Sequence, residues 1–141
     1  MGKRIFRAFL TVFVTLYRLT GGAFGGHMAG LSVLLLTSIG RKTGKQRTTP
    51  LGYFEHNGSY VIIGSNAGDA RNPAWVHNLI ANPRAHVQMG RTQLDVTATR
   101  VEGSARDDLW KRLVALAPGY SSYEQRTKRV IPLILLKSVM A

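Results

Sequence analysis

An antiparallel sheet closed into a barrel, with helices inserted between its strands, is the fold class that this sequence predicts. Three observations predict it. About six apolar or alternating runs have strand length, most of them are joined by short glycine-bearing turns, and three to four segments with helical spacing lie between them. Strands linked by hairpins fit a mainly β, α+β chain and not a doubly wound sheet.

Residues 3 to 19 have helical spacing. Arg4, Arg7, Thr11, Thr15 and Arg18 recur every three to four positions as one polar stripe, and apolar residues cover the rest. Such a helix suits an anionic membrane surface, or packs on its own domain. It is too short and too charged to read as a span. As a signal peptide it is broken by Arg7 and Arg18, and no small-residue cleavage site follows. Gly21-Gly22 and Gly25-Gly26 make residues 21–30 read as a flexible joint. The expected organisation is therefore an amphipathic helix over 1–20, a glycine-rich joint over 21–30, and one barrel domain over 31–141.

Leu31 to Thr37 reads as a buried strand. Gln46 to Glu55 reads as a second, with Pro50 marking an edge or bulge. His56-Asn57-Gly58-Ser59 carries the Asn-Gly signal of a tight hairpin into a third strand, Tyr60 to Gly64. After a loop of small and polar residues, Asn72-Pro73 predicts a helix start, with Asn72 as N-cap and Pro73 in the first turn. Asn82-Pro83 ends that helix. Strands over 85–89 and 92–101 turn across Gly90-Arg91. Ser104 is placed to cap a helix over 105–116, and Pro118-Gly119-Tyr120 closes it. Residues 120–129 read as a polar, aromatic segment, and 132–139 as the last strand.

With 141 residues the chain is long enough to bury a real core as one domain. It has no cysteine, which excludes a disulfide framework, a zinc–thiolate site and a thiol nucleophile. The net charge is +12, and eight Lys or Arg residues precede the first acid, Glu55. That balance favours polyanionic partners. The chain has no nucleic-acid-binding signature, and no nucleic acid is expected as a partner.

Acid–base machinery is sparse. The acids are scattered, and no two of the four histidines have ligand spacing on one helix, so no metal site is expected. No serine sits in a nucleophile elbow. Chemistry on such a chain points to a bound organic cofactor. Gly40-Arg41-Lys42-Thr43-Gly44-Lys45-Gln46-Arg47 suits a phosphate or carboxylate, because glycines bring backbone N–H groups close and the cations add charge. The same turn also reads as a merely solvated basic hairpin. It is not a Walker loop, since Gln46 follows Lys45 and a strand comes next. The loop Gly64-Ser65-Asn66-Ala67-Gly68 precedes a helix whose N-terminus favours anions. Tyr53, Trp75, Tyr120 and Tyr123 lie near turns, with core packing the alternative for Tyr53 and Trp75.

Leu36 to Gly44, Arg47, Thr49-Pro50-Leu51, Asn72-Pro73-Ala74-Trp75, His77-Asn78-Leu79, Ala81-Asn82-Pro83, and Pro118-Gly119-Tyr120 with Tyr123 closely resemble the deazaflavin-dependent nitroreductase and F420H2-dependent quinone reductase family of actinobacteria. The resemblance runs in unbroken order over about residues 31–138. It implies a split β-barrel of flavin-reductase type and coenzyme F420, a deazaflavin with a phosphate and an oligoglutamate tail. By likeness, Arg41, Lys42, Thr43, Gly44, Gln46 and Arg47 hold the phosphate and tail. Ser65, Asn66, Ala67 and Gly68 run along the ring, and Asn72, Pro73 and Trp75 complete that wall. Tyr53, Ser65, Tyr120 and Tyr123 match the substrate side. Two positions depart from the pattern: Ala117 stands where nitroimidazole-active members often carry a tyrosine, and Asn66 where many carry Lys or Arg.

The resemblance further implies hydride transfer from the reduced deazaflavin to a quinone, an activated alkene or a nitro compound. Menaquinone is the expected acceptor, and the expected location is cytoplasmic, peripheral to the inner face of the cell membrane through residues 3–19. The alternatives are a non-catalytic F420 carrier and an FMN-binding reductase.

Overall fold

The computed structural model describes residues 2–28, 30–65 and 70–139. Its elements are α1 (Gly2–Thr20), β1 (His27–Met28), β2 (Leu31–Ile39), β3 (Gln46–His56), β4 (Ser59–Ile63), α2 (Ala74–Ala81), β5 (Arg84–Met89), β6 (Thr92–Val101), α3 (Gly103–Leu116), α4 (Tyr120–Arg126) and β7 (Leu133–Ser138). All strand pairs are antiparallel, in the order β1-β2-β3-β4-β7-β6-β5, and a β2–β5 pairing closes β2 to β7 into a six-stranded barrel. The two-residue β1 shares one edge of β2 with β5: it takes Leu31 and Ser32, while β5 takes Leu35 to Thr37.

Strand periodicity sorts the core into an inside and an outside. Leu34, Leu36, Ile62, Val87, Val96, Ile134 and Leu136 fill the barrel, and Trp75, Val76 and Leu79 of α2 plug it. On the outer face, Leu109, Trp110 and Leu113 of α3 cover Phe54, Val61, Ile63 and Leu133. Also on the outside, Val33 and Leu35 of β2 are covered by Tyr17 of α1, with Phe13 and Val14 beside it. β2 is therefore buried on both faces, which explains its nearly unbroken apolar sequence.

Two strand-level expectations hold in detail. Asn57 and Gly58 have φ of 50° and 79°, as a two-residue hairpin turn of the primed kind requires. Pro50 pairs with Leu35 on one side, and the β3–β4 ladder extends only over Tyr53 to His56, so Pro50 lies where β3 has a free edge.

The helix starts differ from expectation. Pro73, extended at ψ 153°, is the N-cap of α2, and Asn72 is released for another contact. Glu102, not Ser104, precedes the first turn of α3, and neither helix has a side-chain cap bond.

The glycines between α1 and the barrel do not form a loose joint. The Gly22 N–H donates to the Tyr17 carbonyl at 2.9 Å. A Cβ on Gly22 would stand 2.8 Å from the Gly90 Cα, and one on Gly26 only 2.1 Å from the Gly22 carbonyl oxygen. This turn is packed backbone on backbone. It directs the Tyr17 side chain into the barrel wall, where the fully buried hydroxyl donates to the Val33 carbonyl at 2.9 Å and accepts from the Gly90 N–H at 2.7 Å. Tyr17 thus ties α1 to β2 and to the β5–β6 turn.

Tyr17→Phe keeps the ring but strands both backbone groups. It should cost about 1–3 kcal/mol, read as a lower urea midpoint at unchanged slope. An unchanged midpoint would show that packing alone holds α1.

Candidate functional site

The barrel is split where β3 and β4 diverge. Past the Tyr53–Ile62 pair the two strands separate, and the gap opens into a cleft of about 1130 Å³. Its floor is the free half of β3, Thr49 to Gly52. Ser65, Asn72, Pro73, Trp75 and His77 form one side, Tyr120, Tyr123 and Arg129 another, and Phe6 and Leu10 of α1 a third.

A second compartment of about 460 Å³ continues from it. Arg41, Thr49, Ala74 and Trp75 line both, and Gly40, Lys42, Thr43, Arg47 and Asn78 line the second alone. The turn that supplies its cations is closed on itself, with Gly40 N–H donating to the Lys45 carbonyl and Gly44 N–H to the Gly40 carbonyl, both at 2.8 Å. Gly44 has φ 70°, a conformation that glycine adopts without strain. The turn is also fastened to α2. The Arg41 N–H donates to Oδ1 of the buried Asn78 at 3.1 Å, so the sequence position that looked like one more polar helix residue sets where the cationic turn sits.

Gly52 allows close packing on the cleft floor. A Cβ there would lie 3.1 Å from Leu31 Cδ1 and 3.4 Å from the Tyr120 hydroxyl. Without one, Tyr120 reaches down over β3. Its ring meets Tyr123 edge-on with centroids 5.4 Å apart. Burial, and then the neighbouring Tyr123, push the Tyr120 phenol above its ordinary value of 10.0. The group therefore stays protonated, and able to donate, well past neutral pH.

Arg129 closes the cleft between two loops. Its guanidinium donates to Asn72 Oδ1 at 2.6 Å and to the Ser65 carbonyl at 2.8 Å. Two residues on, the Ile131 carbonyl accepts from Nε and Nη2 of the buried Arg106, which lies over the Trp110 ring. The cleft wall is thus braced from α3.

Of the expected site residues, the structure brings Arg41, Lys42, Thr43 and Arg47 around the small compartment, and Ser65, Asn72, Pro73, Trp75, Tyr120 and Tyr123 around the large one. Trp75 is both core and wall. Gly44 shapes the turn but lines neither space. Gln46 lies apart, beside Thr37 and His86 in a third, outer cavity. Tyr53 also stays outside the cleft. It packs inside the barrel edge-on to Tyr60, centroids 5.9 Å apart, and burial raises its phenol above the ordinary value. Asn66, Ala67 and Gly68 lie outside the described residues. Arg129, Arg71, Asn78, Gly52, Phe6 and Leu10 belong to the site without having been expected there. The basic pair Lys128-Arg129, just after the aromatic segment, was the available signal for one of them.

No acidic residue among the described ones lines either compartment. Arg41, Lys42 and Arg47 gather with threonines at one end, and aromatic and hydroxyl groups with Arg71 and Arg129 at the other. That donor set fits an elongated planar ligand with a polyanionic tail and fits a compact metal or a cationic ligand poorly. Among the described residues no cluster of His, Asp or Glu could hold a metal.

A family model for the F420H(2)-dependent quinone reductases matches residues 9–138. The chain belongs to this family. An F420H(2)-dependent quinone reductase of Mycobacterium tuberculosis is 38% identical over 125 residues, covering 86% of this chain and 84% of that one. The solved structure of the F420-H2 dependent reductase FDR-A is 40% identical, with a TM-score of 0.68, and covers 74% of this chain and 93% of its own. The heme storage protein HutZ of Vibrio cholerae matches 94% of this chain and 92% of its own at 13% identity and TM-score 0.54, a likeness of fold alone. The quinone reductase family thus shares its barrel with proteins of other chemistry, and the cleft residues have to carry the functional argument.

Asn78→Ala removes the acceptor that fixes the turn in this quinone reductase family member. Amide exchange at Arg41 should accelerate at least tenfold, while Val87 in the barrel keeps its protection. Equal protection at Arg41 would mean that the turn holds itself in place.

Proposed function

We propose that the chain is an F420H2-dependent quinone reductase whose two joined compartments hold the deazaflavin, tail in the small one and ring in the large one. The observation that carries this reading is the continuity of a cationic compartment with an aromatic, hydroxyl-lined cleft. Arg41, Lys42 and Arg47, with Thr43, bind the phosphate and glutamate tail. Each exposed ion pair contributes little alone, and several together give affinity that salt weakens. Ser65, Asn72, Pro73 and Trp75 hold the ring edge. Gly44 and Gln46 support the turn, and Asn66, Ala67 and Gly68 extend the ring wall.

When bound, the reduced deazaflavin supplies a hydride from ring carbon C5. A quinone that accepts two electrons with this hydride needs one further proton to become the hydroquinone. The Tyr120 phenol donates it and is restored from solvent. Tyr123 orients Tyr120 by its edge contact, and the Ser65 hydroxyl donates to the acceptor oxygen. Tyr53 acts from behind the floor by fixing β3. The protein's main contribution is to hold the two rings in place and exclude water.

Menaquinone is the acceptor we favour, reached at the inner face of the cell membrane. The support is α1. Ile5, Phe9, Val12 and Leu19 are each more than half exposed on one side of a helix that also carries Arg7 and Arg18. No helix among the described residues is long and apolar enough to cross a membrane, so contact would be with its surface.

Oxidised F420 should quench on binding in a fluorescence titration, with affinity falling as salt rises and falling further in Arg47→Gln. FMN, which lacks the glutamate tail, should bind weakly. Preference for FMN would contradict the assignment of the small compartment.

Tyr120→Phe should lower kcat with a quinone about 10²-fold or more, with little change in F420 affinity. In the parent, loss of the proton on raising pH inactivates the donor, so kcat should fall only above the ordinary tyrosine value of 10.0. That alkaline limb should vanish in the variant. An unchanged kcat would assign the proton to solvent.

A further inference from the structure

α2 turns one row of residues toward the site. Ala74, Asn78 and the C-cap Asn82 follow one another at intervals of four, so they stand in line along one helix face. Each meets a different space. Ala74 lies where the cleft and the cationic compartment join, Asn78 lines the compartment alone, and Asn82 lines the outer cavity of about 370 Å³. At about 1.5 Å per residue the row spans about 12 Å.

The outer cavity has the same origin as the cleft, a ladder that stops short. β2 and β5 pair from Leu35–Gln88 to Thr37–His86, and beyond that last pair they part. The wall between the compartment and the outer cavity is one hairpin thick. Gly40 and Arg47 line its inner side, and their neighbours Ile39 and Gln46 line its outer side, because successive strand residues leave on opposite faces.

The chemistry changes across that wall. The compartment offers Arg41, Lys42 and Arg47 with no acid in its described lining, which suits a phosphate. The outer cavity mixes donors with acceptors. Arg84 only donates, the Gln46 and Asn82 amides do both, and Asp95 accepts. Asn82 is held in place there, since its Oδ1 accepts from the Arg84 N–H at 3.3 Å, and Asp95 Oδ1 lies 3.0 Å from His86 Nδ1. Such a set matches a peptide chain that bears carboxylates. The guanidinium takes a carboxylate, the side-chain amides pair with the amides of the chain, and Asp95 accepts from a chain N–H.

We propose that the outer cavity is a third subsite in this line and holds the distal glutamates of the deazaflavin tail. The inference rests on the F420 reading of the two compartments and adds to it a preference for tail length. A cofactor with several glutamates reaches the third subsite, and one with a single glutamate ends in the compartment. Four extended residues, at about 3.3–3.6 Å each, cover the length of the row. Gln46 then serves the tail from outside the compartment.

The test is a fluorescence titration of the full chain with oxidised F420 in two forms, one with a single glutamate and one with several, at one ionic strength. The quantity read is the ratio of Kd, single over several. In the parent it should be about tenfold. Arg84→Gln with Gln46→Ala should bring the ratio close to unity by weakening the longer form alone. Both residues are exposed, and an unchanged urea midpoint confirms that the variant is folded. Gln46→Glu, which adds a like charge to the cavity, should lower the ratio as well. Arg100→Gln removes an exposed cation of β6 that lines none of the three spaces, and should keep the parent ratio. Equal affinity for both forms in the parent overturns the proposal. So does a ratio that falls as far in Arg100→Gln, because attraction by net charge alone would then favour the longer tail. Equal weakening of both forms in the folded double variant also overturns it, since the cavity would then act on the turn and not on the end of the tail. If neither form binds the parent, the F420 reading itself fails, and the third subsite with it.

Discussion

Everything in this fold depends on β2 being buried on both faces. Leu34 and Leu36 point into the barrel, Val33 and Leu35 point out of it, and all four are essentially inaccessible. A barrel strand ordinarily needs only its inner face covered. The outer face of β2 is covered by α1, and Tyr17 fixes that cover through hydrogen bonds to the backbone of Val33, Gln88 and Gly90. Burying each leucine contributes about 1.5–3 kcal/mol, so losing the helix would expose a surface the barrel is built to hide. The position of α1 is set by this requirement, and the overhang of its N-terminal half across the cleft follows from it.

The cleft has a second cause, the short β3–β4 ladder. Four residue pairs are joined, and then the strands part. Thr49 to Gly52 would be an open strand edge, which is a hazard in a free sheet. Here the residues that face this edge across the cleft come from α1, α2, α4 and the segment containing Arg129. Those elements do not pack flush, and the space they leave is the site. Gly64 shows how tightly the hinge of this gap is built: a Cβ there would stand 2.7 Å from Pro132 and 2.9 Å from Val76.

Most of the barrel was legible in the sequence because hairpin signals are local. The Asn57-Gly58 turn, the Gly90 turn and the alternation of the strands each state their structure within a few residues. The cationic turn was legible for the same reason. What could not be read was phase and long-range contact. Tyr53 and Gly52 are neighbours on a strand with a partly buried surface on both sides, and period two does not say which of them faces the cleft. Asn72 looked like a helix cap because Asn-Pro usually is one, but its side chain is bound by an arginine 57 positions away. Arg129 and Asn78 are ordinary polar residues in their own segments. Their importance exists only once β7 and α2 have been brought beside the loops they hold. Gln46 belongs to the turn in sequence but lies beside another cavity, because a strand's successive side chains leave on opposite faces.

The separation of the two compartments has a chemical consequence. Interactions with a ligand accelerate a reaction only when they strengthen in the transition state, and binding energy gathered far from the reacting atoms can be used to hold them in position. In this chain Lys42 and Arg47 stand at the far end, joined to the cleft through Arg41, Thr49, Ala74 and Trp75. The described lining of the cleft itself holds no carboxylate, and its best-placed proton donor is a phenol kept neutral by burial. A site of this kind would do little acid–base chemistry unaided. On the proposed reading, its residues instead hold two flat molecules in place. The basic turn and the overhanging helix are built on different elements, β2–β3 on one side and α1 on the other.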